Sequence, residues 1–266
     1  MDYQIPLLYQ YRSFDNETET NRSRLEKLLI KNELYFSSPN NFNDPFDCWI
    51  APIVSNNLIF EMLNGDFDEI IIHILQLQHY HFPYYLSQCL RDEVRNRFYI
   101  TCLSEIKNHP LMLAHYSNNH SGYFIEYNFL TEKKVFEEWR KNISKFLQVN
   151  YFPLKEECKI HYPIIKDLQE SQAAFDYMLS TKPEDWCYEK EWRIIIDSRI
   201  HPNLNDEKGI SIKFPSIFIN GVYLGAKITK ENFDLMKEIS QKANIPLYVS
   251  KFQEGTFEVL NIEIKK

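Results

Sequence analysis

An α+β fold with helical insertions is the class this sequence predicts, and three observations predict it. Short runs rich in β-branched and aromatic residues recur along the first half, at 7–12, 33–37, 98–104 and 122–127. Helical spacing of apolar residues fills the intervals between them. From residue 190 onward strand patterns dominate, interrupted by one helical pattern at 229–242. No repeat, low-complexity tract or linker divides the chain, so residues 1–266 read as one domain.

The elements follow in order. Leu7-Leu8-Tyr9-Gln10-Tyr11-Arg12 reads as a strand, and Leu25, Leu28 and Leu29 place a helix over 21–32. A second strand, Glu33 to Ser37, runs into the breaker-rich loop Ser38-Pro39-Asn40-Asn41-Phe42-Asn43-Asp44-Pro45-Phe46-Asp47. Leucines and aromatics over 57–95 predict a helical insert. A third strand follows at 98–104, then a short helix at 112–116 closed by Asn118-Asn119. A fourth strand at 122–127 precedes a charged amphipathic helix at 131–147, a strand at 149–152 and a helix at 165–181. Strands are expected at 190–197, 218–224, 246–252 and 257–264.

Composition narrows the function classes. A net charge of −7 argues against a protein that coats nucleic acid through bulk electrostatics. Five scattered cysteines with no CxxC argue against a zinc ribbon or a full disulfide framework and fit a reducing cytoplasm. The start Met1-Asp2-Tyr3-Gln4 lacks signal-peptide character, and no apolar stretch approaches a membrane span. With six glycines and neither GxGxxG nor a P-loop, nucleotide binding through those loops is set aside.

The most informative run is Trp186-Cys187-Tyr188-Glu189-Lys190-Glu191-Trp192-Arg193. If its strand is regular, Glu189, Glu191 and Arg193 share one face and Lys190 the other. Such a rim is either a reactive site or a charged edge that guards a sheet against aggregation.

The order of motifs resembles the bacterial family known as domain of unknown function 2971. Those motifs are Leu8-Tyr9-Gln10-Tyr11-Arg12, Phe36-Ser37-Ser38-Pro39, Phe42-Asn43-Asp44-Pro45-Phe46-Asp47, Cys102-Leu103-Ser104, Ala114-His115-Tyr116-Ser117, Gly122 to Tyr127, and the Trp186–Arg193 run. The resemblance spans about residues 7 to 225. One departure is Leu113, where the family would carry a tryptophan. The same order is similar to the ADP-ribosyltransferase superfamily. That likeness implies a mixed, largely antiparallel split sheet and NAD as substrate. It gives Tyr11 and Arg12 the ribose-holding place on the first strand and Ser37 the end of the second. Cys102 to Ser104 with His115 and Tyr116 would wall the nicotinamide. Glu191 would be the late glutamate, and Glu189 the carboxylate two residues earlier.

The chemistry agrees with such roles. Breaking the nicotinamide–ribose bond builds positive charge on the sugar, which a carboxylate at Glu191 steadies. Glu189 is placed as general base for the acceptor. Arg12, with Arg193 second, offers a fork for the diphosphate, and Tyr116 or Tyr11 a flat partner for nicotinamide. Asn43 and Asp44 are either a pocket lip or a turn held by their own side chains. His115 either touches ligand or bonds within the core.

The expected activity is therefore NAD-dependent ADP-ribosyl transfer, in a toxin or antiphage effector acting on protein or nucleic acid. An antitoxin or other partner protein, and no membrane, belong to that reading. Two alternatives stay open. One is a metal-dependent nuclease with Asp44, Asp47, Glu189 and Glu191 as ligands and Lys190 or Arg193 near the phosphate. The other is a non-catalytic sensor module in phage defence.

Overall fold

In a computed structural model of the chain, the structure describes residues 5–48, 53–54, 82–153, 164–165, 170–203, 206, 208–256 and 258–264. The strands are β1 (Leu8–Arg12), β2 (Glu33–Ser37), β3 (Ile53–Val54), β4 (Phe98–Ser104), β5 (Tyr123–Tyr127), β6 (Lys145–Gln148) and β7 (Asn150–Phe152). They continue as β8 (Ile164–Ile165), β9 (Thr181–Pro183), β10 (Glu191–Asp197), β11 (Gly209–Lys213), β12 (Ile219–Leu224), β13 (Leu247–Phe252) and β14 (Val259–Glu263). The α-helices are α1 (Thr18–Leu25), α2 (Phe82–Arg97), α3 (Pro110–Tyr116), α4 (Lys133–Arg140), α5 (Glu170–Ser180) and α6 (Lys230–Ala243).

Among the described residues ten strands make one mixed, largely antiparallel sheet in which β12 and β13 form the parallel pair. Its branch point is β4. Along one edge β4 pairs with β10 over its whole length, from Glu191↔Ser104 to Asp197↔Phe98. Along the other edge two strands share it: β2 touches at Ile100 through Ser37, and β1 at Ser104 through Tyr9. The sheet is therefore forked, and Cys102 sits between the prongs.

Cross-strand partners share a face. Tyr9, Tyr11, Cys102, Ser104, Phe124, Glu191 and Arg193 thus lie on one side of the sheet. The opposite side carries Leu8, Leu103, Ile125, Tyr127, Ile194 and Ile196. These belong to the main core with Leu25, Leu28, Phe136, Trp139, Leu235 and Met236 from the helices. Burying each such side chain contributes roughly 1.5–3 kcal/mol, so this face anchors the fold.

Local chemistry sets several boundaries. Thr229 caps α6 by accepting from the Asn232 amide, and Asn244 ends it in the left-handed region. The Asn118-Asn119 closure of α3 extends through His120, all three at positive φ. Gly122 then follows because a Cβ there would lie 2.2 Å from the Arg12 carbonyl oxygen. Leu113, where a tryptophan was expected, is fully buried against Tyr9, Phe124 and Tyr223.

Three sequence expectations need correction. The helix expected over 131–147 stops at Arg140, and Lys145–Gln148 form β6 against β10, where Phe146 packs edge-to-face on Phe129 and Trp192. The first helix spans Thr18–Leu25 and continues as a π-helical turn from Glu26 to Ile30. β3, β8, β9 and β11 were not foreseen; β9 is three residues long and ends in proline. Of the insert expected at 57–95, residues 57–81 lie outside the described residues, and α2 covers the remainder. Among the described residues no helix is long and apolar enough to cross a membrane.

Candidate active site

A cavity of about 360 Å³ opens at the fork. Its walls come from β1 (Tyr9, Tyr11), the loop after β2 (Asn43, Asp47), β4 (Cys102, Ser104), α3 (His115, Tyr116) and the residues around the paired glutamates. A second cavity of about 850 Å³ adjoins it and shares Tyr11, Ser13, Asn41 and Tyr116. It lies in the gap between β1 and β2 and holds Arg12, Arg24, Lys27, Ser37 and Tyr123.

The paired glutamates do not sit on one regular strand. Glu189 ends a 3₁₀ turn, Glu184–Glu189, and Lys190 turns the chain at φ 40°, so Glu191 opens β10. The alternation argument therefore fails for Glu189 and holds for Glu191 and Arg193. The two carboxylates converge for a different reason. Ser104 Oγ donates to the Glu189 carbonyl (2.5 Å), and the Tyr151 hydroxyl accepts from the Glu191 amide (2.8 Å), pinning both backbones.

A buried ionic cluster forms the cavity floor. Arg193, with no exposed surface, donates from Nε to Glu191 Oε1 (2.7 Å), from Nη2 to Asp47 Oδ2 (2.8 Å) and from Nη1 to the Leu179 carbonyl (2.9 Å). Lys182 Nζ donates to Glu189 Oε2 (2.6 Å) and Glu191 Oε2 (3.1 Å), and stands 3.7 Å from Asp47 Oδ2. Tyr116 donates its hydroxyl to Glu189 Oε1 (2.5 Å).

These contacts separate the two acids. Burial opposes a charge on Glu191, but Arg193 and Lys182 outweigh it and hold this carboxyl well below its ordinary value. Burial dominates at Glu189, and the Glu191 charge adds to it; together they exceed the pull of Lys182 and raise this carboxyl to about 7. One glutamate is thus firmly ionised, while its neighbour exchanges a proton near neutral pH. That division suits a charge stabiliser beside an acid–base group. Cys102 faces the same cavity with its free thiol exposed there.

The predicted residues distribute as follows. Glu189, Glu191, Tyr11, Asn43, His115 and Tyr116 line the smaller cavity, and Arg12 and Ser37 the larger one. Tyr11 donates to the Ile106 carbonyl and packs on Phe124, so its ring is held rather than free. Arg12 spends Nε on Gln10 Oε1. Arg193 is a correction: it is buried, spends its donors on Glu191, Asp47 and the Leu179 carbonyl, and lines neither cavity. Asp44 is another. Its carboxylate accepts from the Phe46 amide (2.9 Å), which is the turn reading, and it lines neither cavity.

Sequence reasoning missed Lys182 altogether and weighed Asp47 only as a metal ligand. Two buried glutamates beside one arginine imply a further cation, but nothing in the Ser-Thr-Lys-Pro stretch marks Lys182 as that cation. Among the described residues no group of three or more His, Cys, Asp and Glu side chains is arranged to hold a metal ion. Asp47, Glu189 and Glu191 are instead occupied by Lys182 and Arg193.

The family described as "Protein of unknown function (DUF2971)" matches residues 112–194. That segment carries the Ala114–Tyr116 triplet, β5 and the glutamate pair, while β1 and β2 lie outside it. Comparisons with curated proteins and with solved structures gave no match.

Proposed function

We propose that the chain is an NAD-dependent ADP-ribosyltransferase that modifies a protein or nucleic-acid acceptor, in the setting of a toxin or antiphage effector. The observation that carries the reading is the pair of buried glutamates with opposed proton affinities on the floor of a cavity at the sheet fork. The two adjoining cavities fall in the size range of small-molecule sites. The larger one is lined by the cations Arg12, Arg24 and Lys27, which suits a diphosphate.

In this reading the nicotinamide–ribose C–N bond breaks, and its electron pair leaves with nicotinamide. The Glu191 carboxylate steadies the positive charge that develops on the ribose. The acceptor nucleophile bonds to the same carbon, and Glu189, ionised above pH 7, takes its proton. Tyr116 and Lys182 hold Glu189 in place.

The test is release of nicotinamide from NAD, with transfer of adenosine-labelled NAD to cell extract. Wild-type protein is expected to release nicotinamide, and Glu191→Gln to lose ~10²-fold or more of that rate, the usual cost of one preorganised electrostatic group. No release by wild-type protein, with no NAD binding by calorimetry, would sink the proposal.

A further inference from the structure

The charges on the cavity floor do not balance. Three carboxylates, Asp47, Glu189 and Glu191, face two cations, Lys182 and Arg193, and every one of these side chains is at most 5% exposed. Arg193 is spent on Asp47, Glu191 and the Leu179 carbonyl and makes no bond to Glu189. Lys182 alone among the described residues reaches all three carboxylates. It comes from β9, a three-residue strand held by parallel pairing with β7 and turned into the 3₁₀ segment by Pro183. Its ammonium also lies 4.9 Å from the centre of the Trp186 ring, a cation–π contact that limits where it can swing.

We propose that Lys182 is a positioning residue whose ammonium clamps Glu189 to Glu191, so that both carboxylates present to one point on the cavity floor. What the carboxylates then do rests on the transferase reading; the clamp itself does not. Lys182 is not itself a nucleophile. Burial opposes its charge, but Glu191, Asp47 and Glu189 prevail and keep it protonated, leaving no free lone pair. Glu189 is faced by Tyr116 from α3, Lys182 from β9, Glu191 from β10, Tyr151 from β7 and Tyr188 from its own turn. Lys182 supplies the positive charge in that set, so its removal leaves Glu189 against a like charge.

The decisive experiment is a pH titration of the Glu189 carboxyl carbon by NMR in wild-type protein and in Lys182→Met. The midpoint is expected to rise from about 7 by at least roughly one pH unit, tenfold in proton affinity. The acid limb of nicotinamide release should move up with it, kcat falling at pH 7 while KM for NAD holds, and Lys182→Arg should restore part of kcat. An unchanged midpoint overturns the clamp. Should Lys182→Met not fold, the Lys182 ¹⁵Nζ resonance of the wild type decides: it must inflect at the Glu189 midpoint, and a flat response overturns the clamp equally. A shifted midpoint in a protein that releases no nicotinamide leaves the clamp standing and removes the transferase reading.

Discussion

Strand β10 carries a buried ionic group at each end, on the same face, and the two ends are built on opposite principles. At its start, Glu191 joins Asp47 and Glu189 in a cluster with more carboxylates than cations, open to a cavity. At its end, Asp197 lies between two guanidiniums. Arg97 donates from Nε (3.0 Å) and Nη2 (2.6 Å), and Arg199 from Nη2 (2.8 Å). Arg97 also lies over the rings of Phe98 and Phe175. With Glu93 on Arg97 Nη1 (3.3 Å), the far end matches two acids to two guanidiniums, lines neither of the two adjoining cavities and ties α2 to the sheet. The near end is short of positive charge and has one acid poised near neutrality. A strongly perturbed acid beside a cavity is what makes the near end, and not the far one, the candidate site.

The comparison can be broken most forcefully at Arg193. Arg193→Met would leave Asp47 and Glu191 buried with Lys182 alone, and a loss of ~3–5 kcal/mol in urea denaturation is expected. Arg97→Met should cost less, ~1–2 kcal/mol in the same measurement, because Asp197 keeps Arg199 and its backbone donor. Equal losses at the two ends would remove the distinction.

The next effect is a pH dependence that only the near end should show. Glu189 in the folded chain holds its proton up to about pH 7, above the ordinary carboxyl value of 4.5. The folded state therefore binds this proton more tightly than the unfolded state. Its contribution is complete below pH 4.5 and is lost as pH rises towards 7. Glu189→Gln, which mimics the protonated acid, should match wild type near pH 4.5 and exceed it by ~1–3 kcal/mol at pH 8. Glu191 works with the opposite sign: its lowered value stabilises the fold above the ordinary carboxyl range, and that contribution fades on acidification. Denaturation midpoints at the two pH values check both statements; a Glu189→Gln advantage at acid pH would reverse the assignment.

The smallest expected effect belongs to Tyr116→Phe. Loss of the 2.5 Å hydrogen bond to Glu189 should cost ~1 kcal/mol and raise the Glu189 midpoint by less than about one unit. A downward shift would mean that Tyr116 favours the protonated acid.

By itself the sequence determined the alternation of strands and helices. β4 was read with its observed ends, Phe98 to Ser104, and α6 to within a residue, because period-2 and 3.6-residue patterns and caps such as Thr229 act locally. It also singled out Glu191, through a charged run bordering an apolar strand, and Tyr116, through the Ala114–Tyr116 triplet of the resemblance; both line the smaller cavity. It put Glu189 on a regular strand, although its position depends on the left-handed turn at Lys190, and it counted Arg193 among the cavity residues, although that side chain is buried outside both linings. Only the tertiary structure decided that β1 and β2 part from β4 to open a cavity. It alone brought Lys182 and Asp47, 135 residues apart, to within 3.7 Å of each other in one cluster with Arg193 and Glu191. The physical reason is that proton affinities and charge balance are sums over neighbours in space, and a linear pattern does not contain those neighbours.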